Sequence, residues 1–299
     1  MDIVKIAVLG PKGTFSDMAY MEYRQLVLER FRDKGDKLCI EAEYYPTIDE
    51  VFNAVCDDAG NGVCDMGIVP IENTLDGYVQ RTLDLLLEKQ VGILDEHTVP
   101  VQFALVANGA STEEISTLYV QFKANGQCRK FINSLNNVNI VSTESNMESY
   151  YKLKDIQGNA AIVPSHVASW EKNSDSNRLV QEGITDAENN YTRFVVFKKE
   201  DKVSFNGYVT KNKVRIPVYI MPKSDRPGLL FEILKEFYDK DINLISIMSR
   251  PTKQELGTYN FYIEIDGYAS TISTIKEALA NIKVYNDIKV LGIYEEDGI

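Results

Sequence analysis

The apolar positions of this chain fall into two rhythms. Through residues 1–200, short unbroken apolar runs alternate with stretches of helical spacing, and a small polar cluster marks most of the joins. Residues 3–9 form the first run; continuous aliphatic side chains suit a strand covered on both faces. Ala19, Tyr23, Leu26, Val27, Arg30 and Phe31 then share one face of a helix predicted over about 17–34, with Gly35 as its stop. A strand and a helix repeat over 40–45 and 48–55. The run 66–71 leads into Glu72-Asn73-Thr74 and a helix over about 78–89. Further strands are expected over 100–107 and 119–122, a helix over 127–135, and a strand over 159–164. That strand ends Ile-Val-Pro, as Ile68-Val69-Pro70 does. Residues 194–197, four apolar positions in a row, read as one more buried strand of a parallel sheet. Two matched strand–proline–helix units predict two similar α/β lobes facing each other across a cleft.

Over 198–213 Lys, Glu, Asp, Asn and Gly dominate, and the linker between domains is placed there. Beyond it the period shortens to two in places: Tyr259, Phe261, Ile263 and Ile265 alternate with polar or small neighbours. Strands over 214–221, 242–248, 257–265 and 288–294, with helices over 229–238 and 270–282, give the order β-α-β-β-α-β of a ferredoxin-like unit. Helices cover one face of its sheet. The other face, or an edge, calls for a partner, which predicts oligomerisation.

Charge narrows the function. A net charge of −12 repels phosphate backbones and anionic lipid, which argues against nucleic acid and membrane as partners. No apolar run approaches the roughly 20 residues that span a bilayer. His97 and His166 are too few for a His-rich metal site, and Cys39, Cys56, Cys64 and Cys128, with no C-x-x-C pair, read as reduced. An anionic ligand would need a local positive site, and two stretches offer one. Gly10-Pro11-Lys12-Gly13-Thr14-Phe15-Ser16 joins a strand to a helix N-terminus, where free backbone N–H groups converge. It is neither a Walker A loop nor G-x-G-x-x-G, so it is an anion site or a plain strand–helix turn. Asn189-Asn190-Tyr191-Thr192-Arg193-Phe194 sets a guanidinium, able to grip a carboxylate with two hydrogen bonds, at the mouth of a buried strand. Beside it the Thr192 hydroxyl can donate a proton or a hydrogen bond. A surface arginine with a capping threonine would write the same letters.

These two stretches, with Val69-Pro70-Ile71-Glu72-Asn73-Thr74, resemble the three main motifs of the prephenate dehydratase family. The C-terminal unit resembles the ACT regulatory domain that follows it. Arg226-Pro227-Gly228-Leu229-Leu230 is similar to its Pro-Gly-Ala-Leu turn, and 243–251, ending Met248-Ser249-Arg250-Pro251, to its Glu-Ser-Arg-Pro segment. The resemblance covers nearly the whole chain. It implies an α/β, two-lobed, periplasmic-binding-protein-like catalytic domain over 1–200, with lobe 1 about 1–75 and 178–200 and lobe 2 about 76–177, then an ACT domain over 213–299. It implies a cytoplasmic carbon–oxygen lyase, without cofactor or metal, that converts prephenate to phenylpyruvate and answers to phenylalanine bound between ACT domains. Arogenate dehydratase, prephenate decarboxylase and a non-catalytic amino-acid sensor are the alternatives.

Carried onto this sequence, the resemblance makes Thr192 the donor to the leaving hydroxyl, Arg193 a carboxylate clamp and Phe194 the packing for the ring. Thr14, Phe15, Ser16, Glu72, Asn73, Thr74 and Asn190 form the substrate site, where Glu72 orients Arg193 or a backbone N–H. Gly228, Leu229, Leu230, Asn243, Ser249, Arg250 and Pro251 form the effector site. The chain departs from the pattern where Val120-Gln121-Phe122-Lys123 replaces Ser-His-Pro-Gln, where Ser145-Asn146 replaces Ser-Thr, and where Met248 replaces Glu. Lys123 is then an added carboxylate contact or a surface side chain.

Overall fold

The computed structural model describes residues 2–32, 38–172, 178–200, 202–205 and 213–296; Gly35 and half of the expected linker lie outside the described residues. The chain runs β1 (Asp2–Leu9), α1 (Phe15–Arg32), β2 (Leu38–Tyr45), α2 (Ile48–Val55), β3 (Met66–Asn73), β4 (Gly77–Tyr78), α3 (Gln80–Glu88) and β5 (Val91–Pro100). It crosses into β6 (Phe103–Ala107), β7 (Thr117–Gln121), α4 (Phe122–Gln127), α5 (Arg129–Ser134), β8 (Asn139–Thr143), α6 (Asn146–Lys152), β9 (Asn159–Pro164), α7 (Ser165–Lys172) and β10 (Leu179–Gln181), and returns with β11 (Tyr191–Lys199). The last unit is β12 (Lys213–Pro222), α8 (Leu229–Tyr238), β13 (Leu244–Pro251), β14 (Tyr259–Tyr268), α9 (Ile272–Ile282), β15 (Asn286–Val290) and β16 (Tyr294–Glu295).

Three sheets result. The first has the order β2-β1-β3-β11-β5, with β4 beside β3; the second is β10-β6-β9-β7-β8; the third is β13-β14-β12-β15, with β16 on β12. The third sheet has the ferredoxin-like order expected for the C-terminal unit. β11 is buried as its composition predicts, but it is antiparallel to both neighbours, β3 and β5. What makes it apolar is cover on both faces. Phe194 and Val196 enter the core under α1, while Val195 and Phe197 enter the opposite one, where Phe197 stacks on Phe52 at 4.2 Å.

The strand expected over 100–107 is β6, starting at Phe103, and before it runs β5, an unforeseen strand in a different sheet. β5 holds Asp95-Glu96-His97-Thr98, a polar run that hides a strand whose charges are paired inside the protein. Because β5 belongs to the first sheet, the crossing between lobes falls near residue 101 rather than 75.

The uncovered face of the third sheet lies on the catalytic domain of the same chain. Tyr219, Tyr262, Leu291 and Tyr294 share one core with Ile71, Leu83, Leu85 and Ile93. The Tyr219 hydroxyl donates to the Leu83 carbonyl at 2.8 Å, and Lys289 Nζ donates to the carbonyls of Leu86 and Leu87 at the end of α3. The face that called for a partner is thus covered from within the chain; the edge strand β13, with Ile245 and Ile247 exposed, is not. Among the described residues no helix is long and apolar enough to cross a membrane.

Candidate active site

A cleft of about 620 Å³ lies between the lobes. Lobe 1 lines it with the β1–α1 loop, the end of β3 and the start of β11; lobe 2 lines it from β6, α4 and the start of α6. Several of these segments end a strand or begin a helix, so small polar groups and helix N-termini converge there.

The β1–α1 loop is held by its own side chains. Thr14 Oγ1 donates to the Pro11 carbonyl at 3.0 Å and accepts from the Asp17 amide at 3.3 Å. Asp17, buried, accepts the Gly13 amide at 2.7 Å and the Tyr44 hydroxyl. Gly13 has φ +90°, and a Cβ there would lie 2.5 Å from Met147 Sδ, so the loop touches lobe 2 where only glycine fits. Phe15 meets Phe103 edge-on at 5.5 Å and His166 at 5.8 Å. Thr14, Phe15 and Ser16 all line the cleft at the N-terminus of α1, whose partial positive charge favours an anion. The Thr14 hydroxyl, however, is spent on the helix cap.

Asn73, at the end of β3, organises the opposite wall. Its Nδ2 lies 2.9 Å from Thr192 Oγ1, 2.9 Å from Asn190 Oδ1 and 3.0 Å from the Tyr191 carbonyl. Its Oδ1 accepts the amides of Leu75 and Asp76. Asn190 is fully buried and passes its own Nδ2 to Gln127 Oε1 at 3.1 Å, which ties this wall to lobe 2. In the bond with Asn73, Thr192 Oγ1 is the acceptor, so its own hydrogen is left for the cleft. Phe194, 1% exposed, supplies an apolar floor.

Three sequence expectations change here. Thr192 and Phe194 line the cleft, but Arg193, between them, points to the other side of the strand. There it contacts Glu72 at 2.8 Å, Glu96 at 3.0 Å and Glu264 of β14 at 2.8 Å. Burial alone would lower the Arg193 pKa, but Glu264, with Tyr294, Tyr262 and Glu96, holds it raised. A guanidinium so engaged is no clamp for a ligand in this cleft. Glu72 faces Arg193, as expected, and therefore lies behind the cleft with it. Thr74 also leaves the cleft: its hydroxyl bonds the Tyr191 carbonyl and accepts the Tyr191 amide, stitching β3 to β11.

Lobe 2 adds groups that the motifs left out. Lys123 lines the cleft at the start of α4, with its Nζ 2.7 Å from Asp76 Oδ2 on lobe 1. Gln121, at the position where the pattern has His, caps α4 by accepting the amides of Lys123 and Ala124. Asn146 lines the cleft with a buried Oδ1 that has no partner. Of these, Lys123 is the position already singled out by the departure from Ser-His-Pro-Gln; nothing local marked Asp76.

The expected effector residues divide. Gly228 (φ +85°) caps α8, and Leu229 lines a groove with Ile233, Ile282 and Asn286. Ser249 and Pro251 are exposed on β13, whereas Arg250 turns inward to Asp84 of α3 at 2.8 Å. Asn243 donates to Asp266 at 3.1 Å.

The prephenate dehydratase profile matches residues 6–202 and the ACT domain profile residues 223–282. The prephenate dehydratase of Methanocaldococcus jannaschii is 32% identical over 286 residues, covering 95% of each chain. The bifunctional chorismate mutase/prephenate dehydratase of Aquifex aeolicus is 31% identical over 97% of this chain and 73% of its own. The prephenate dehydratase of Arthrobacter aurescens, solved in complex with L-Phe, superposes with a TM-score of 0.79 at 29% identity, covering 98% of this chain and 90% of that one. With these matches spanning both of its domains, the chain belongs to the prephenate dehydratase family, in the form that carries a C-terminal ACT domain.

Proposed function

We propose that the chain converts prephenate to phenylpyruvate, with phenylalanine as its effector, and that it works in the cytoplasm as a homodimer or homotetramer. The observation that carries the activity is the bond from Asn73 Nδ2 to Thr192 Oγ1, which leaves a hydroxyl hydrogen facing a cleft walled by Phe15, Phe103 and Phe194. Prephenate bears a carboxylate and a hydroxyl at opposite ends of a cyclohexadiene ring. The bond to the carboxylate breaks, its electron pair enters the ring, and the hydroxyl leaves with the bond at the far carbon. Carbon dioxide and hydroxide depart, and the ring becomes aromatic. Thr192 donates to the departing oxygen and stabilises the charge that grows there. A threonine hydroxyl is a weak acid, so holding the leaving group in register counts for more than proton transfer.

The two carboxylates need positive partners other than Arg193. The N-terminus of α1 and Lys123 are the candidates, and Asn146 Oδ1 can accept a substrate hydroxyl. Asp76 beside Lys123 favours a second reading, since the ammonium of arogenate would suit an anion at that rim. Incubating the full-length chain with prephenate and reading phenylpyruvate in alkali tests the activity; absence of product overturns it. The same assay with arogenate separates the two substrates. Phenylalanine should raise the thermal midpoint of the full-length chain.

A further inference from the structure

The cleft and the ACT sheet meet at one side chain, Tyr78. Its ring lines the cleft with Asn73, Thr192 and Phe194. Its hydroxyl leaves the cleft and lies 2.7 Å from Ser246 Oγ on β13, while Arg193 Nη2 approaches it at 3.4 Å. The far side of the ring stands against Tyr262 of β14, centroids 5.7 Å apart, and the Arg193 guanidinium carbon is 5.9 Å from its centroid. Its backbone belongs to β4, two residues paired to Glu72 and Asn73. The turn before it is exposed, and Gly77, at φ +75°, has nothing within 4 Å of a Cβ position. The lobe holds the backbone of this segment through β3, Asn73 Oδ1 and the Val79 amide on the Ile71 carbonyl, while the Tyr78 side chain meets Ser246 of β13 and Tyr262 of β14.

We propose that Tyr78 is a positioning residue for the substrate, a wall of the cleft whose place is set by the ACT sheet through Ser246 and Tyr262. A shift of β13 by a fraction of a hydrogen-bond length releases the Tyr78 hydroxyl. The released ring widens the cleft beside Asn73, whose Oδ1 holds the same turn through Leu75 and Asp76. The ACT domain thus shapes the pocket by contact within one chain. The inference rests on the reading of the cleft as a prephenate site.

The test uses the full-length chain as wild type, Ser246→Ala, Tyr78→Phe, the double variant, and Ser246→Thr, which keeps a hydroxyl. Backbone hydrogen exchange over 74–79 should rise in Ser246→Ala and Tyr78→Phe alike, no further in the double variant, and return in Ser246→Thr. The KM for prephenate should rise about fivefold in both single variants and in the double, with kcat within about twofold, as expected for one lost hydrogen bond on a binding wall. Unchanged exchange over 74–79 in Ser246→Ala overturns the proposal, and so do single effects that add in the double variant. A wild type that leaves prephenate untouched refutes the proposed activity instead, and the exchange pattern then decides the role of Tyr78 alone.

Discussion

The two faces of β11 carry neighbouring residues of one motif and treat them in opposite ways. On the cleft face, Thr192 accepts one hydrogen bond and keeps its own donor unspent, and Phe194 offers bare apolar surface. On the back face, Arg193 is engaged with Glu72, Glu96 and Glu264, and Arg215 of β12 shares Glu96 at 3.1 Å. On the cleft face a donor is left open toward a ligand; on the back face the charges are turned onto one another and hold domains together. The strand therefore links chemistry to architecture across its own thickness.

Removing the cleft-face hydroxyl gives the sharpest test. Thr192→Ala should lower kcat by about 10²–10³-fold with an unchanged unfolding curve, the loss seen when a donor to a developing oxyanion is deleted. Thr192→Ser, which keeps the hydroxyl, should stay within about tenfold of wild type. If Thr192→Ala turns over normally, the cleft face has no privileged donor and the contrast between the two faces disappears.

The back face should fail differently. Arg193→Met strips one of the two guanidinium groups that face the buried Glu96 and Glu264, Arg215 being the other, which should cost about 3 kcal/mol of stability in urea denaturation. Its activity should fall with the folded fraction. A variant of wild-type stability whose KM for prephenate climbs steeply would return Arg193 to the ligand and break the comparison.

Much of this arrangement was legible from pattern, and the failures share one cause. Unbroken apolar runs marked β1, β3, β9 and β11, and the βαββαβ order of the last unit was read from spacing alone. Strand β5 was missed because Glu96 looks like a loop residue until it is paired with Arg193 and Arg215, 97 and 119 positions away. The turn of Arg193 away from the cleft was available in principle, since side chains alternate along a strand and Thr192 and Phe194 could not share their side with it. At Thr14 and Thr74 sequence did not separate binding from structure, because a threonine that caps a helix or stitches two strands has the same local sequence as one that binds; Thr14 lines the cleft while capping α1, and Thr74 ties β3 to β11. Non-local pairing and side-chain direction, rather than element type, were what sequence left open.

With Arg193 turned away, the cleft must find its cation elsewhere, and Lys123 sharpens that side of the comparison. It is exposed and paired to Asp76 across the lobes. An exposed pair of this kind adds little to stability. Lys123→Ala should therefore leave the melting temperature unchanged while raising the KM for prephenate about tenfold, the loss of one charged contact to a carboxylate. Asp76→Asn should lower KM modestly by freeing the lysine. If Lys123→Ala shows wild-type kinetics, the lysine is a surface side chain and the N-terminus of α1 carries the anion.

The smallest effect is expected at His166, which supports the loop opposite β11. Its Nε2 donates to the Gly13 carbonyl at 3.1 Å, and its Nδ1 is buried with no partner. Burial lowers its pKa below the ordinary 6.5, against the opposing pull of the Gly13 carbonyl, Asp17 and Glu22; Lys12 lies in the same groove. Below about pH 6.5 the unfolded chain takes up this proton while the folded chain refuses it. His166 therefore contributes full stability above that value and loses it as the pH falls toward the folded pKa. His166→Gln keeps a donor for Gly13 but does not titrate. The stability gap between wild type and His166→Gln, measured by thermal unfolding from pH 7.5 to 5, should move against the wild type as acid is added. A gap that stays constant across that range would mean that the imidazole is already accommodated in both protonation states, and that the loop is held by Thr14, Asp17, Phe15 and the Gly13–Met147 contact.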